Sequence, residues 1–134
     1  MTLSAAGKKA RPMSPHLQVY RPQLTAVLSI FHRMTGFGLA AGLPVFSLWL
    51  VALALGGKFY DLFLFGAHSY IGKAVLMGWT WAFCYHLCTG LRHLVWDIGL
   101  GLDIKQVYKS GYIAFAVSGV LTLVLWGKLL WVLL

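Results

Sequence analysis

Three long stretches without a charged side chain constrain this chain more than any other feature. Residues 34–57, 74–91 and 110–127 contain no Asp, Glu, Lys or Arg. Roughly 20 apolar residues in a helix cross the hydrocarbon core of a bilayer. The flanks Phe63 to Lys73 and Arg92 to Trp96 are apolar enough to lengthen the second stretch, and Leu129 to Leu134 lengthen the third. The expected fold is an all-α integral membrane protein with three transmembrane helices, forming part of a heteromeric helix bundle. Its spans fall at about 27–56, 66–96 and 110–133, within a transmembrane domain of residues 25–134. Residues 1–24 form an N-terminal cytoplasmic segment.

Composition agrees with that reading. Charged residues make up 10% of the 134, against about 25% in soluble domains. The net charge of +8 comes from few, scattered basic residues. No dense basic stripe interleaves with aromatics, which excludes a nucleic-acid partner and leaves the lipid bilayer as the surface these charges meet. Local breaks are also legible. Thr25 is a candidate cap for the first helix and Pro44 a kink within it. Gly56 to Phe59 reads as a turn, and Gly99 to Lys109 as a polar loop.

Orientation follows the excess of Lys and Arg on the cytoplasmic side. With the N-terminus inside, that side receives Lys8, Lys9, Arg11, Arg21, Lys105 and Lys109, while Lys58, Lys73 and Lys128 stay outside. The first apolar run begins late, is too long for a signal-peptide core and lacks a cleavage site after it. The short leader favours a bacterial inner membrane over a mitochondrial inner membrane. Cys84 and Cys88, at i and i+4 on one helix, are expected to be unpaired core residues.

Ionisable groups at membrane depth are costly and mark sites. His86, Gly90, His93 and Asp97 fall at i, i+4, i+7 and i+11, one face of a helix. An imidazole with a glycine one turn away offers a metal ligand and room for a flat group. On spacing alone His86 is either an axial haem ligand or a hydrogen-bonded packing residue. Arg92 and His93 stand where haem propionates would emerge, or where an interfacial arginine would meet lipid headgroups or Asp97. Asp97 suits a second partner for His93 or Arg92.

A second polar cluster lies in the first span. Ser29 and Arg33 share a face at i and i+4. A hydroxyl donor beside a fixed cation suits a quinone carbonyl and the anion formed on one-electron reduction. Arg33 also suits a snorkelling reach to headgroups. His32, about 100° round the helix, need not face the same ligand; it suits proton relay or a partner contact. Only one haem ligand is evident, so a second would come from another chain. In the N-in topology both clusters converge near the cytoplasmic side. His68 reads as an interfacial histidine and His16 as a surface one.

These residues also carry a family resemblance. One signature runs Arg11-Pro12-Met13-Ser14-Pro15-His16-Leu17 and continues at Ser29-Ile30-Phe31-His32-Arg33-Met34-Thr35-Gly36. The other is His86-x-x-x-Gly90-Leu91-Arg92-His93-Leu94-Val95-Trp96-Asp97-Ile98-Gly99. Together they resemble the cytochrome b556 membrane anchors of succinate dehydrogenase, complex II. The resemblance implies that His86 is the haem b iron ligand, with Arg92 and His93 near its propionates. It implies that Ser29 and Arg33 help form a quinone site, with His32 beside them. The implied partners are a second small membrane anchor supplying the other haem ligand, an iron–sulfur subunit and a flavoprotein subunit. The implied enzyme passes electrons from succinate to quinone in the tricarboxylic acid cycle and respiratory chain, with this subunit not catalytic alone. A fumarate reductase-type anchor and a non-redox membrane subunit are the alternatives.

Overall fold

The structure, a computed structural model, describes residues 21–133. Lys8, Lys9, Arg11 and His16 lie outside the described residues, as does the first half of the first signature. Every regular element in the described region is a helix: α1 spans Leu24–Leu55, α2 Gly57–His68, α3 Tyr70–Asp97 and α4 Ile104–Leu133. Helix α1 and the Ile104–Leu129 part of α4 are long and apolar enough to cross a membrane.

The helix boundaries correct four sequence expectations. Thr25 does not cap α1: the helix starts at Leu24 after Gln23, without a side-chain cap. The expected turn at Gly56 to Phe59 shrinks to one residue. Gly56 sits at φ 65°, ψ −165°, a conformation open to glycine, and α2 begins at once at Gly57. The second span is not one helix from residue 66, because Ser69 is extended (φ −65°, ψ 155°) and breaks it. Its hydroxyl donates to the Gly66 carbonyl at 2.7 Å and accepts from Gly72 N–H at 2.9 Å, ending α2 and capping α3 together. The loop before α4 is shorter than expected, since the helix starts at Ile104 and Val107 N–H reaches the Asp103 carbonyl at 2.8 Å. Glycines with positive φ at Gly99 and Gly101 make the intervening turn. Pro44 leaves α1 continuous.

Helix α3 packs against both α1 and α4, with α1 also touching α4. Contacts between Leu28 and Tyr85, and between Gly42 and Trp79, run in opposite order along α1 and α3, so the two are antiparallel. Helix α2, too short to cross a bilayer, folds against the far ends of α1 and α3.

The pattern of burial is inverted relative to a water-soluble bundle. Thr35, Thr89, Ser118 and Thr122 are buried between helices, whereas Phe37 is 78% and Phe65 78% exposed. The buried hydroxyls donate to carbonyls of their own helices: Thr89 to Tyr85, Ser118 to Phe115 and Thr122 to Ser118. Small and hydroxyl side chains let helices approach closely where no water drives them together. Cys84 and Cys88 are free thiols, as expected.

At Gly42 the Trp79 ring of α3 lies directly against the backbone of α1. A Cβ added there would fall on the Trp79 ring, whereas one added at Gly38 would meet open space. Gly42→Leu is expected to destabilise the assembled protein by about 2–3 kcal/mol through overpacking. Gly38→Ala is expected to be neutral or slightly stabilising. Thermal denaturation of the two variants in detergent checks the contrast.

Candidate functional site

At the end of the bundle remote from α2, α1 and α3 bring their polar residues together. The imidazoles of His32 and His86 lie face to face, with ring centroids 4.1 Å apart and planes 7° from parallel. His93 meets the same stack edge-on, 5.1 Å from His32. The two sequence clusters therefore converge, and His32, expected to need no common face with the others, is at the centre of the junction.

Four hydrogen bonds fix this arrangement. His86 Nδ1 lies 3.1 Å from the His32 carbonyl and 3.3 Å from the Thr35 hydroxyl. His32 Nδ1 lies 2.7 Å from the Thr89 hydroxyl, and Tyr85 OH donates to the Leu28 carbonyl at 3.0 Å. A carbonyl can only accept, so His86 carries its proton on Nδ1 and leaves Nε2 bare. Nε2 is then the nitrogen offered to a metal. The fixing of one imidazole nitrogen by a hydrogen bond is the usual support for a metal-binding histidine.

Two glycines shape the surroundings of His86. A Cβ on Gly36 would stand 2.8 Å from His86 Cε1, so only a bare α-carbon admits the ring this close to α1. A Cβ on Gly90 would meet nothing within 4 Å, which leaves free space one turn from His86. Among the described residues, no three His, Cys, Asp or Glu side chains converge to hold a bare metal ion. A single imidazole with one nitrogen fixed by a hydrogen bond is instead a donor suited to an iron already held in a porphyrin.

The other predicted residues are placed differently. Arg92 turns toward α4: Nε donates to Ser110 Oγ at 2.9 Å, Nη2 to the Val107 carbonyl at 2.7 Å, and the guanidinium lies 4.0 Å over the Trp96 ring. It shares the Tyr85–Thr89–Arg92–Trp96 face, not that of His86. Asp97 is exposed at the end of α3 and receives neither of these Arg92 bonds. Ser29 is half-buried and Arg33 exposed, next to the stack along α1. His68 is exposed at the end of α2, on the opposite side of the bundle.

A cavity of about 650 Å³ also lies on that opposite side, lined by apolar residues including Val45, Trp49, Phe63, Val75 and Trp79. It contains none of the polar residues of the junction.

Sequence reasoning missed the threonines and Tyr85. A signal for the threonines was present: His-x-x-Thr occurs at His32–Thr35 and again at His86–Thr89. In the antiparallel pair each threonine bonds the histidine of the other helix. Tyr85 had no comparable signal, because its partner is a backbone carbonyl.

Fold and junction thus define an all-helical protein with helices of membrane-spanning length and a histidine junction between two helices. Residues 7–125 match the family described as succinate dehydrogenase/fumarate reductase transmembrane subunit. The chain is 42% identical over 116 residues to the succinate dehydrogenase cytochrome b556 subunit of Rickettsia typhi, covering 87% of this chain and 90% of that one. It is 45% identical over 111 residues to the protein of the same name from Paracoccus denitrificans, covering 83% and 85%. A succinate dehydrogenase cytochrome b560 subunit from Reclinomonas americana is 41% identical over 128 residues, covering 87% of this chain and 84% of its own. The chain belongs to the succinate dehydrogenase/fumarate reductase transmembrane subunit family.

Gly36→Val is expected to push His86 off its position, since the branched side chain has no room beside Cε1. The expected cost is about 1–3 kcal/mol, read as a lower melting temperature of the purified protein. Unchanged stability would mean that α1 and α3 do not meet at this glycine.

Proposed function

We propose that this chain is a membrane anchor of succinate:quinone oxidoreductase, complex II, holding one side of a haem b and part of the quinone-reduction site. The observation that carries the proposal is His86, whose Nδ1 is committed to the His32 carbonyl, which leaves Nε2 as the unprotonated nitrogen of a ring one turn from the open side of Gly90. Helices α1, α3 and α4 serve as the three spans. Helix α3 has 28 residues, about 42 Å, which exceeds the thickness of a bilayer core. The basic residues flanking the spans favour a cytoplasmic N-terminus in a bacterial inner membrane.

His86 Nε2 would bind the haem iron, and a second anchor would supply the opposing ligand. His93 lies two turns nearer the polar end, where a propionate would emerge. Arg92 keeps N–H groups beyond those bonded to α4 and would meet a propionate through them. When bound, the haem supplies a one-electron carrier.

The quinone would meet Ser29 and Arg33. Two electrons from succinate, which becomes fumarate, reach the quinone through an iron–sulfur subunit, and two protons complete the quinol. The Ser29 hydroxyl donates to a quinone carbonyl and holds the ring in place. The Arg33 cation offsets the negative charge that builds on that oxygen. His32 Nδ1 is engaged by the Thr89 hydroxyl at 2.7 Å, and its Nε2 would hold or pass a proton for the quinone. Succinate itself is handled by the flavoprotein partner.

Purification in mild detergent is expected to bring down a flavoprotein, an iron–sulfur protein and a second small anchor with a b-type absorbance spectrum. His86→Ala is expected to abolish that spectrum. Ser29→Ala and Arg33→Leu are expected to lower quinone reductase turnover on the order of 10- to 100-fold in assembled complex, the value of one lost charged or well-placed hydrogen bond. Full turnover in both variants would remove the quinone assignment, and an unchanged spectrum in His86→Ala would remove the haem assignment.

A further inference from the structure

We infer that Thr35 is a positioning residue for the iron-binding nitrogen of His86, within a reciprocal clasp in which Thr89 does the same for His32. The inference rests on the haem reading above and deepens it.

The direction of each proton carries the argument. The Thr35 hydroxyl lies 2.9 Å from the Phe31 carbonyl and 2.9 Å from the His32 carbonyl, so its single proton is spent on its own helix. Toward His86 Nδ1, 3.3 Å away, Thr35 Oγ can then only accept. The His32 carbonyl on the same nitrogen also only accepts. His86 Nδ1–H is therefore shared between two acceptors, both from one turn of α1. Thr89 mirrors the contact: its hydroxyl lies 2.7 Å from the Tyr85 carbonyl and 2.7 Å from His32 Nδ1, across the same pair of helices. Both threonines are nearly buried, at 6% and 2% exposure, so water does not compete for these bonds.

The consequence concerns more than packing. An acceptor on Nδ1–H draws that proton away and makes Nε2 a stronger donor to a metal. A more basic ligand favours ferric over ferrous haem. Removing the Thr35 acceptor leaves the carbonyl alone and moves the balance toward ferrous.

The test uses the complete, membrane-extracted complex and two readouts: the haem midpoint potential by redox titration, and the low-spin ferric signal by electron paramagnetic resonance. Thr35→Val keeps the shape without the hydroxyl. It is expected to shift the ferric–ferrous equilibrium toward ferrous on the order of threefold, about one modest hydrogen bond, and to move the resonance signal. Thr35→Ser is expected to restore both. If Thr35→Val does not assemble, Thr35→Cys, a weak acceptor, is expected to give the same shift. A wild-type potential and signal in Thr35→Val, or in Thr35→Cys where that variant is needed, overturns the inference. So does a shift that Thr35→Ser fails to restore, or assembly of Thr35→Ser alone, which would mark the Thr35 hydroxyl as a requirement of folding rather than of the haem ligand. A wild-type complex without b-type haem would instead overturn the haem reading itself.

Discussion

A polar group facing lipid has no water to turn to, so it must find its partner within the protein or go without. That constraint organises the interior of this chain. Its few buried polar side chains collect where helices touch, and most bond a backbone carbonyl one turn away. The exceptions cross between helices: Tyr85 to Leu28, His86 to the His32 carbonyl and to Thr35, Thr89 to His32, and Arg92 to Ser110 and Val107. These bonds set the register of α3 against α1 and α4. Apolar packing in lipid gains little from burial, so it would tolerate sliding that these bonds forbid. Arg92 shows how a cation is accommodated there without a carboxylate: two acceptors on α4 and the face of Trp96 surround it.

Sequence reasoning recovered the apolar helices and the meeting of two distant polar clusters, because both follow from length, charge and antiparallel order. It lost the finer breaks where a single residue decides. Ser69 interrupts an otherwise continuous apolar run because its hydroxyl serves both helix ends at once, a role that hydropathy does not register. Helix α4 starts at Ile104 because Lys105 and Lys109 tolerate a helix in the polar region as readily as a loop.

The site was legible one helix at a time. The face shared by His86, Gly90 and His93 could be read from spacing, but spacing on α3 does not say which residue of α1 lies opposite. The angle of His32 to Arg33 is readable from sequence, yet what matters is its height against His86. Gly36 resolves the matter physically. It stands in the signature beside Thr35, and its lack of a side chain is what lets the His86 ring reach the His32 carbonyl.

The stack also bears on where a second axial ligand would come from. Two axial imidazoles approach one iron from opposite sides, each with its nitrogen aimed at the metal. His32 and His86 instead lie flat on one another, with ring centroids 4.1 Å apart, so neither ring aims its edge at the other. His93 is turned edge-on to His32, and His68 sits at the end of α2 away from the junction. None of these three faces His86 across a gap. Gly90 has open space where a side chain would stand, and Leu87 and Leu91 beside it on α3 are exposed. For the haem proposed at His86, no other described histidine of this chain is placed to serve as a second ligand. Under that proposal a shared cofactor would join two chains that apolar contact alone would hold together weakly.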